Sequence, residues 1–194
     1  MPNWCDNSMY LYNADKTKID ALEKELQEKD SEIFKHLRPY KGEWDYMWCV
    51  ENWGTKWEAN VIDYFRDGDN NITVYFETAW GPPITLYEYL ESQEWKIEAH
   101  YNEPGVCFAG IYSEGFDNHY DYSELSADEI EEELPSELNE IYQISDMKRE
   151  WEEVNEEEDT EELGEYSQEE VEQALKEIKA EYDKLIAEED KKEK

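Results

Sequence analysis

Three histidines, His36, His100 and His119, and three cysteines, Cys5, Cys49 and Cys107, are the side chains best suited to acid–base, nucleophilic or metal chemistry. Their spacing assembles none of those sites. No histidine stands in a recognisable arrangement with a cysteine or serine, and neither a G-x-S-x-G elbow nor a Gly-rich phosphate cradle occurs. The cysteines are odd in number and far apart, with no C-x-x-C pair. That usage argues against a disulfide framework and a zinc site, and it fits a reducing cytoplasm. Asp67-x-Asp69-x-Asn71 resembles the start of a calcium loop, but the glycine and glutamate such a loop requires are replaced by Ile72 and Thr78. A hairpin turn accounts for those residues better. The expectation is therefore no enzyme, no metal and no cofactor.

Two other groups of residues could support binding. One is a tryptophan-rich segment, from which Asn52, Trp53, Lys56, Trp57 and Trp80 make a candidate binding loop, since rigid aromatics are good anchors. Lys56, a lone base between Trp53 and Trp57, suits cation–π stacking. The alternative is that these rings form a small core capping one end of a sheet. The other group is acidic. Residues 120–194 hold 30 Asp and Glu against 8 Lys and Arg, whereas residues 1–119 hold 23 against 10. From Glu150 to Glu172 there are 13 acids in 23 residues and no base. On a helix this is about one charge per 2.7 Å, beside about one per 1.7 Å for duplex DNA. Glu150, Glu152, Glu153, Glu156, Glu157, Glu158, Asp159, Glu161 and Glu162 are the candidate partner-binding surface. The alternative is a solvated face that aids solubility. So acidic a chain would be repelled by nucleic-acid phosphate and anionic lipid. No apolar run approaches a membrane span, and no secretion signal opens the chain. A soluble, cytoplasmic protein is expected.

The elements that must carry these residues follow from periodicity. Alternation predicts strands over residues 7–12, 59–65, 72–78, 95–101 and 106–112. Ile19, Leu22 and Leu26 predict a helix over 17–28, and Pro82-Pro83 opens a short helix through Leu90. Residues 38–57 read as a long aromatic loop. Tyr10, Tyr12 and Tyr75 fall on the sheet face turned from the helices, to be covered by the C-terminal region or presented to a protein. The order strand, helix, strand, strand, helix, strand, plus an extra strand, predicts an α+β fold with a ferredoxin-like split βαβ antiparallel sheet. The expected divisions are a domain over 1–119 and an acidic helical region over 120–194. Within that region Ser126-x-x-Glu129 and Ser167-x-x-Glu170 match the capping box. Residues 152–166 read as a linker, either disordered or a solvated helix. Val171, Leu175, Ile178, Tyr182 and Leu185 form an apolar seam on a terminal helix over 167–190, for docking on its own domain or for a homodimer.

Four segments occur in a distinctive order: Met1-Pro2-Asn3-Trp4-Cys5 with Asn7; Asn52-Trp53-Gly54-Thr55-Lys56-Trp57 with Ala59; Phe76-x-Thr78-Ala79-Trp80-x-Pro82-Pro83; and Tyr101-x-Glu103-x-Gly105 with Phe108 and Gly110. Together they resemble the YubB ferredoxin-like domain family of phage and plasmid proteins, over about the first 115 residues. The resemblance implies a ferredoxin-like fold and a mobile-element origin, and it carries no established activity. Combined with the charge map, it leads to the expectation of a non-enzymatic inhibitor that imitates nucleic acid. Its partner would be a host defence protein with a basic nucleic-acid-binding surface, of the restriction or CRISPR type. The competing expectation is a protein- or ligand-binding module using the tryptophan loop, with the acidic region only a solubilising or dimerising appendage.

Overall fold

The computed structural model describes residues 3–164 together with Lys176 and Lys179, with side chains as far as Asn155 and at those two lysines. The Ser167 capping box and the seam from Val171 to Leu185 lie outside the described residues. Strand β1 (Trp4–Tyr12) sends Cys5, Asn7, Met9 and Leu11 inward, as alternation demands. Helix α1 (Lys16–Leu26) begins where the Asp15 carboxylate accepts the Thr17 N–H, and it buries Ile19, Leu22 and Leu26.

Part of the stretch expected to be an aromatic loop, residues 38–57, is helical. After a short helix α2 (Ile33–Leu37), Tyr46–Trp53 forms helix α3. The Asp45 carboxylate accepts the Trp48 N–H at 2.7 Å, and Gly54 ends the helix at φ 87°. Both termini were thus encoded, while the dense aromatics hid the helical period between them.

Strands β2 (Asn60–Asp67) and β3 (Asn71–Ala79) form the expected hairpin, and α4 (Ile84–Ser92) follows Pro83. Strands β4 (Lys96–Glu103) and β5 (Phe108–Ser113) pair next, and an unexpected sixth strand, β6 (Phe116–Asp121), extends them. Its residues are mostly exposed, so it lacks the apolar alternation that marks a half-buried strand. Glu114 and Gly115, both at positive φ, make the tight turn into it. The protein is α+β, with one antiparallel sheet in the order β2-β3-β1-β4-β5-β6.

Two apolar clusters lie on opposite faces of this sheet. The larger joins Met9, Leu11, Val74, Phe76, Ile97 and Ala99 to the inner faces of α1 to α4. The smaller joins Ala109 of β5 to Ile130 of α5 (Ala127–Glu133) and Leu138 of α6 (Ser136–Tyr142). The capping box at Ser126 is present, with Ser126 N–H donating to the Glu129 carboxylate at 2.8 Å. Residues 120–145 therefore belong to the sheet domain. The first compact unit is Met1–Ser145 and the second Asp146–Lys194, which moves the boundary expected at 119/120. The physical reason is that Ile130, Leu134 and Leu138 have an apolar patch of the sheet to bury against. Helix α7 (Ile144–Gly164) is continuous through most of the expected linker, so residues 152–164 have helical backbone. On the face that α5 and α6 partly cover, Tyr10 and Tyr75 remain exposed. No helix among the described residues is long and apolar enough to cross a membrane.

Candidate functional site

The tryptophan segment divides into a buried half and a displayed half. Trp53 is 1% exposed, packs edge-on against Phe34 and Trp48, and donates its ring N–H to the Arg38 carbonyl at 3.1 Å. Asn52 is half-buried, and its amide donates to the Trp48 carbonyl while its own carbonyl accepts from Arg38 at 2.6 Å. Arg38 also lies 4.3 Å from the Tyr89 ring centroid. Asn52 and Trp53 thus build the core end of α3, and the binding reading does not hold for Trp53.

The displayed half lies at the adjoining end of the sheet. Lys56 Nζ sits 3.7 Å from the Trp57 ring centroid, and Trp57 lies 6.3 Å from the ring of Trp4. Trp4, absent from the predicted set, is 41% exposed because alternation turns it opposite Cys5. Trp80 is 54% exposed and holds φ at 76°, a left-handed conformation that a bulky residue adopts only under constraint. The constraint is visible: Trp80 N–H donates to the Asn3 carbonyl at 3.0 Å, and the Thr78 hydroxyl donates to the Gly81 carbonyl at 2.8 Å. Buried Asn7 donates to Thr78 Oγ1 at 2.8 Å, and Thr55 donates to the Ala79 carbonyl at 3.1 Å. Glu103 accepts the backbone N–H groups of Gly105 and Val106, and a side chain on Gly105 would strike Asn3. The four segments singled out in the sequence therefore meet at one end of the sheet. Most of their polar residues hold backbone there, while Trp4 and Trp80 are exposed and Lys56 and Trp57 are half-buried.

The acidic surface is partly described. Glu150 and Glu153 are exposed on α7, and Glu152 is half-buried. Glu156, Glu157, Glu158, Asp159, Glu161 and Glu162 lie on the same helical backbone, and their side chains fall outside the described residues. Met147, Trp151 and Val154 are exposed at spacings of four and three along this helix, with Lys148 Nζ 4.8 Å from the Trp151 ring centroid. A second acidic surface precedes the named candidates, within the acidic region expected over 120–194. Residues 120–145 contain nine acids and no base, and all nine acids are exposed. Five of them, Asp128, Glu129, Glu131, Glu132 and Glu133, sit on α5, whose buried Ala127 and Ile130 anchor it.

The groups with potential for catalysis have other partners. His36 faces Glu25 at 3.9 Å, His100 contacts Glu137, and His119 Nδ1 lies 3.3 Å from the Tyr101 hydroxyl. Burial pushes the Cys5 thiol well above its ordinary range, away from the thiolate a nucleophile needs. A cleft of about 430 Å³ beside β2 is lined by Lys29, Asp30, Asn60, Asp63 and Tyr64, among others, with no histidine or cysteine.

Comparison with protein-family models finds no match, and neither does comparison with curated proteins. Among solved structures, the crystal structure of the protein api92 from Yersinia pseudotuberculosis, of family DUF1281, is similar at 24% identity and a TM-score of 0.32. The match covers 40% of this chain and 29% of that one, so the chain spans under a third of that neighbour's length.

Proposed function

We propose that the protein is a non-enzymatic inhibitor of mobile-element origin that occupies the nucleic-acid-gripping surface of a host defence protein. The observation that carries this reading is the acidic face of α5 and α6, fixed on the sheet domain by Ile130, Leu134 and Leu138. A loose acidic tail offers charge without shape. Carboxylates on packed helices keep constant separations, which a surface evolved to hold phosphates at constant separations can recognise. Helix α7 by itself carries further acids, with Glu150 and Glu153 exposed on it. The sheet order β2-β3-β1-β4, with helices between β1 and β2 and between β3 and β4, supports a ferredoxin-like core extended by β5 and β6. Convergence of the four segments at one sheet end supports kinship with the YubB family.

A competition assay tests the reading. Purified restriction endonucleases and CRISPR effectors are presented with duplex DNA and increasing amounts of this protein. Displacement of DNA from at least one is expected, weakening steeply as salt rises. Neutralising Glu131, Glu132 and Glu133 to glutamine should weaken displacement about tenfold, by comparison with charged contacts at other interfaces. Absence of displacement across the panel, or displacement indifferent to those substitutions and to salt, sinks the proposal.

A second reading has its own observation in the constrained, displayed Trp80 beside Trp4, Lys56 and Trp57. There the partner is gripped by aromatic faces, and binding would fall on substituting Trp80 and Trp57 rather than the acids.

A further inference from the structure

Glu98 and His100 stand two apart on β4 and so share a face, the one on which α6 is seated. Helix α6 delivers Glu137 to the same point, where His100 Nε2 and a Glu137 carboxylate oxygen are in contact. One ligand atom from each of the three side chains lies within 4.8 Å of the other two. His100 is 8% exposed, while Glu98 and Glu137 face solvent. The strand backbone is tied to the helix at the same residue: the Tyr142 hydroxyl, further along α6, donates to the His100 main-chain carbonyl at 2.8 Å. Strand and helix are thereby kept in register at this point.

A simple ion pair between His100 and Glu137 leaves Glu98 out of account. Two carboxylates converging on one imidazole carry two negative charges, and a protonated imidazole answers only one. A dication answers both and uses all three groups. We propose that Glu98, His100 and Glu137 bind a divalent first-row transition-metal ion that joins β4 to α6. An imidazole nitrogen with two carboxylate oxygens suits zinc, manganese or cobalt, whereas magnesium and calcium favour oxygen-only sites. Ligand bonds of about 2.0–2.2 Å keep donors on one ion within about 4 Å of one another. The three donors lie within 4.8 Å of one another, so the two exposed glutamates must rotate inward on the buried histidine to reach that limit. Solvent completes the coordination on the open side. The ion acts as a staple, pinning α6 and the acidic surface it carries to the sheet. Because the three ligands are separated as 98, 100 and 137, no metal-binding spacing shows in the sequence.

The full-length chain, stripped of metal with a chelator, is titrated with Zn²⁺ in excess Mg²⁺, so that loosely held surface sites are already filled. Histidine-selective NMR should show the His100 ring signals moving with one equivalent, while those of His36 and His119 stay in place. Co²⁺ in place of Zn²⁺ should give ligand-field bands reporting a nitrogen donor. His100→Gln should weaken Zn²⁺ binding at least tenfold, a loss already common for outer-sphere partners. Glu98→Gln alters an exposed side chain without disturbing the fold, and it should weaken binding by a similar factor. Unmoved His100 signals, or unchanged Zn²⁺ affinity in Glu98→Gln, would overturn the proposal and assign any bound ion to the acidic surface at large.

Discussion

Glu58 sits just before β2 with both carboxylate oxygens turned onto the first turn of α2. Oε1 accepts the Phe34 N–H at 2.6 Å and Oε2 accepts the Lys35 N–H at 3.1 Å. Burial nevertheless dominates and pushes this carboxyl up to about 7 from its ordinary 4.5. The folded chain then holds the Glu58 proton more tightly than the unfolded chain does. Stability from this group is complete below about pH 4.5 and is lost as pH rises to about 7, by roughly 3 kcal/mol. In Glu58→Gln that loss should vanish, so urea unfolding at several pH values should show the wild type falling toward the variant across this window. Repulsion among the other carboxylates acts on both proteins alike and cancels in the difference. Parallel stability profiles for the two proteins would contradict the assignment.

Helix ends do much of the positioning here, and Gly54 is the sharpest case. A Cβ there would lie 3.2 Å from the Ile84 N and 3.3 Å from the Pro83 carbonyl carbon, on a backbone already at φ 87°. Gly54→Ala should therefore lose about 2 kcal/mol in denaturant unfolding, combining left-handed strain with a shift of α3 against α4. A loss below about 0.5 kcal/mol would show that the two helices separate easily. These elements also show what can be read from a chain alone. Strand β1 was legible because Met9 and Leu11 alternate with polar or solvent-facing side chains. Helix α3 was not, because Tyr46, Trp48 and Trp53 follow no clean helical stripe, although Asp45 and Gly54 marked its ends. Strand β6 was hidden because it pairs through backbone while burying little of its own. Trp53 and Trp80 look alike as residue types, yet one fills the core and the other is displayed. Only the path of the chain around Thr78 and Gly81 separates them. The meeting of Glu98 and His100 with Glu137 depends on α6 folding back, which no local pattern encodes.

At the scale of the whole chain, a strong negative charge accompanies a sheet with two open edges. At one edge, β2 carries Asp63 and Asp67, and a register shift between Val61 and Asp63 leaves Ile62 exposed. At the other, β6 presents Asp117 and Asp121 beside an exposed Phe116. Unpaired strands of this kind are templates for another strand, and a bulge or a row of charge discourages the pairing. With a formal charge of −35, two copies approaching edge to edge repel each other over the Debye length, about 10 Å at 0.1 M salt and about 3 Å at 1 M. Light scattering during gentle heating should therefore grow faster in molar salt than in dilute buffer. Equal rates in both would show that the bulge and turn geometry guard the edges without help from charge. If scattering does grow faster in molar salt, the carboxylates proposed to meet a partner also keep the protein from becoming its own: a field suited to a basic groove opposes a fibre.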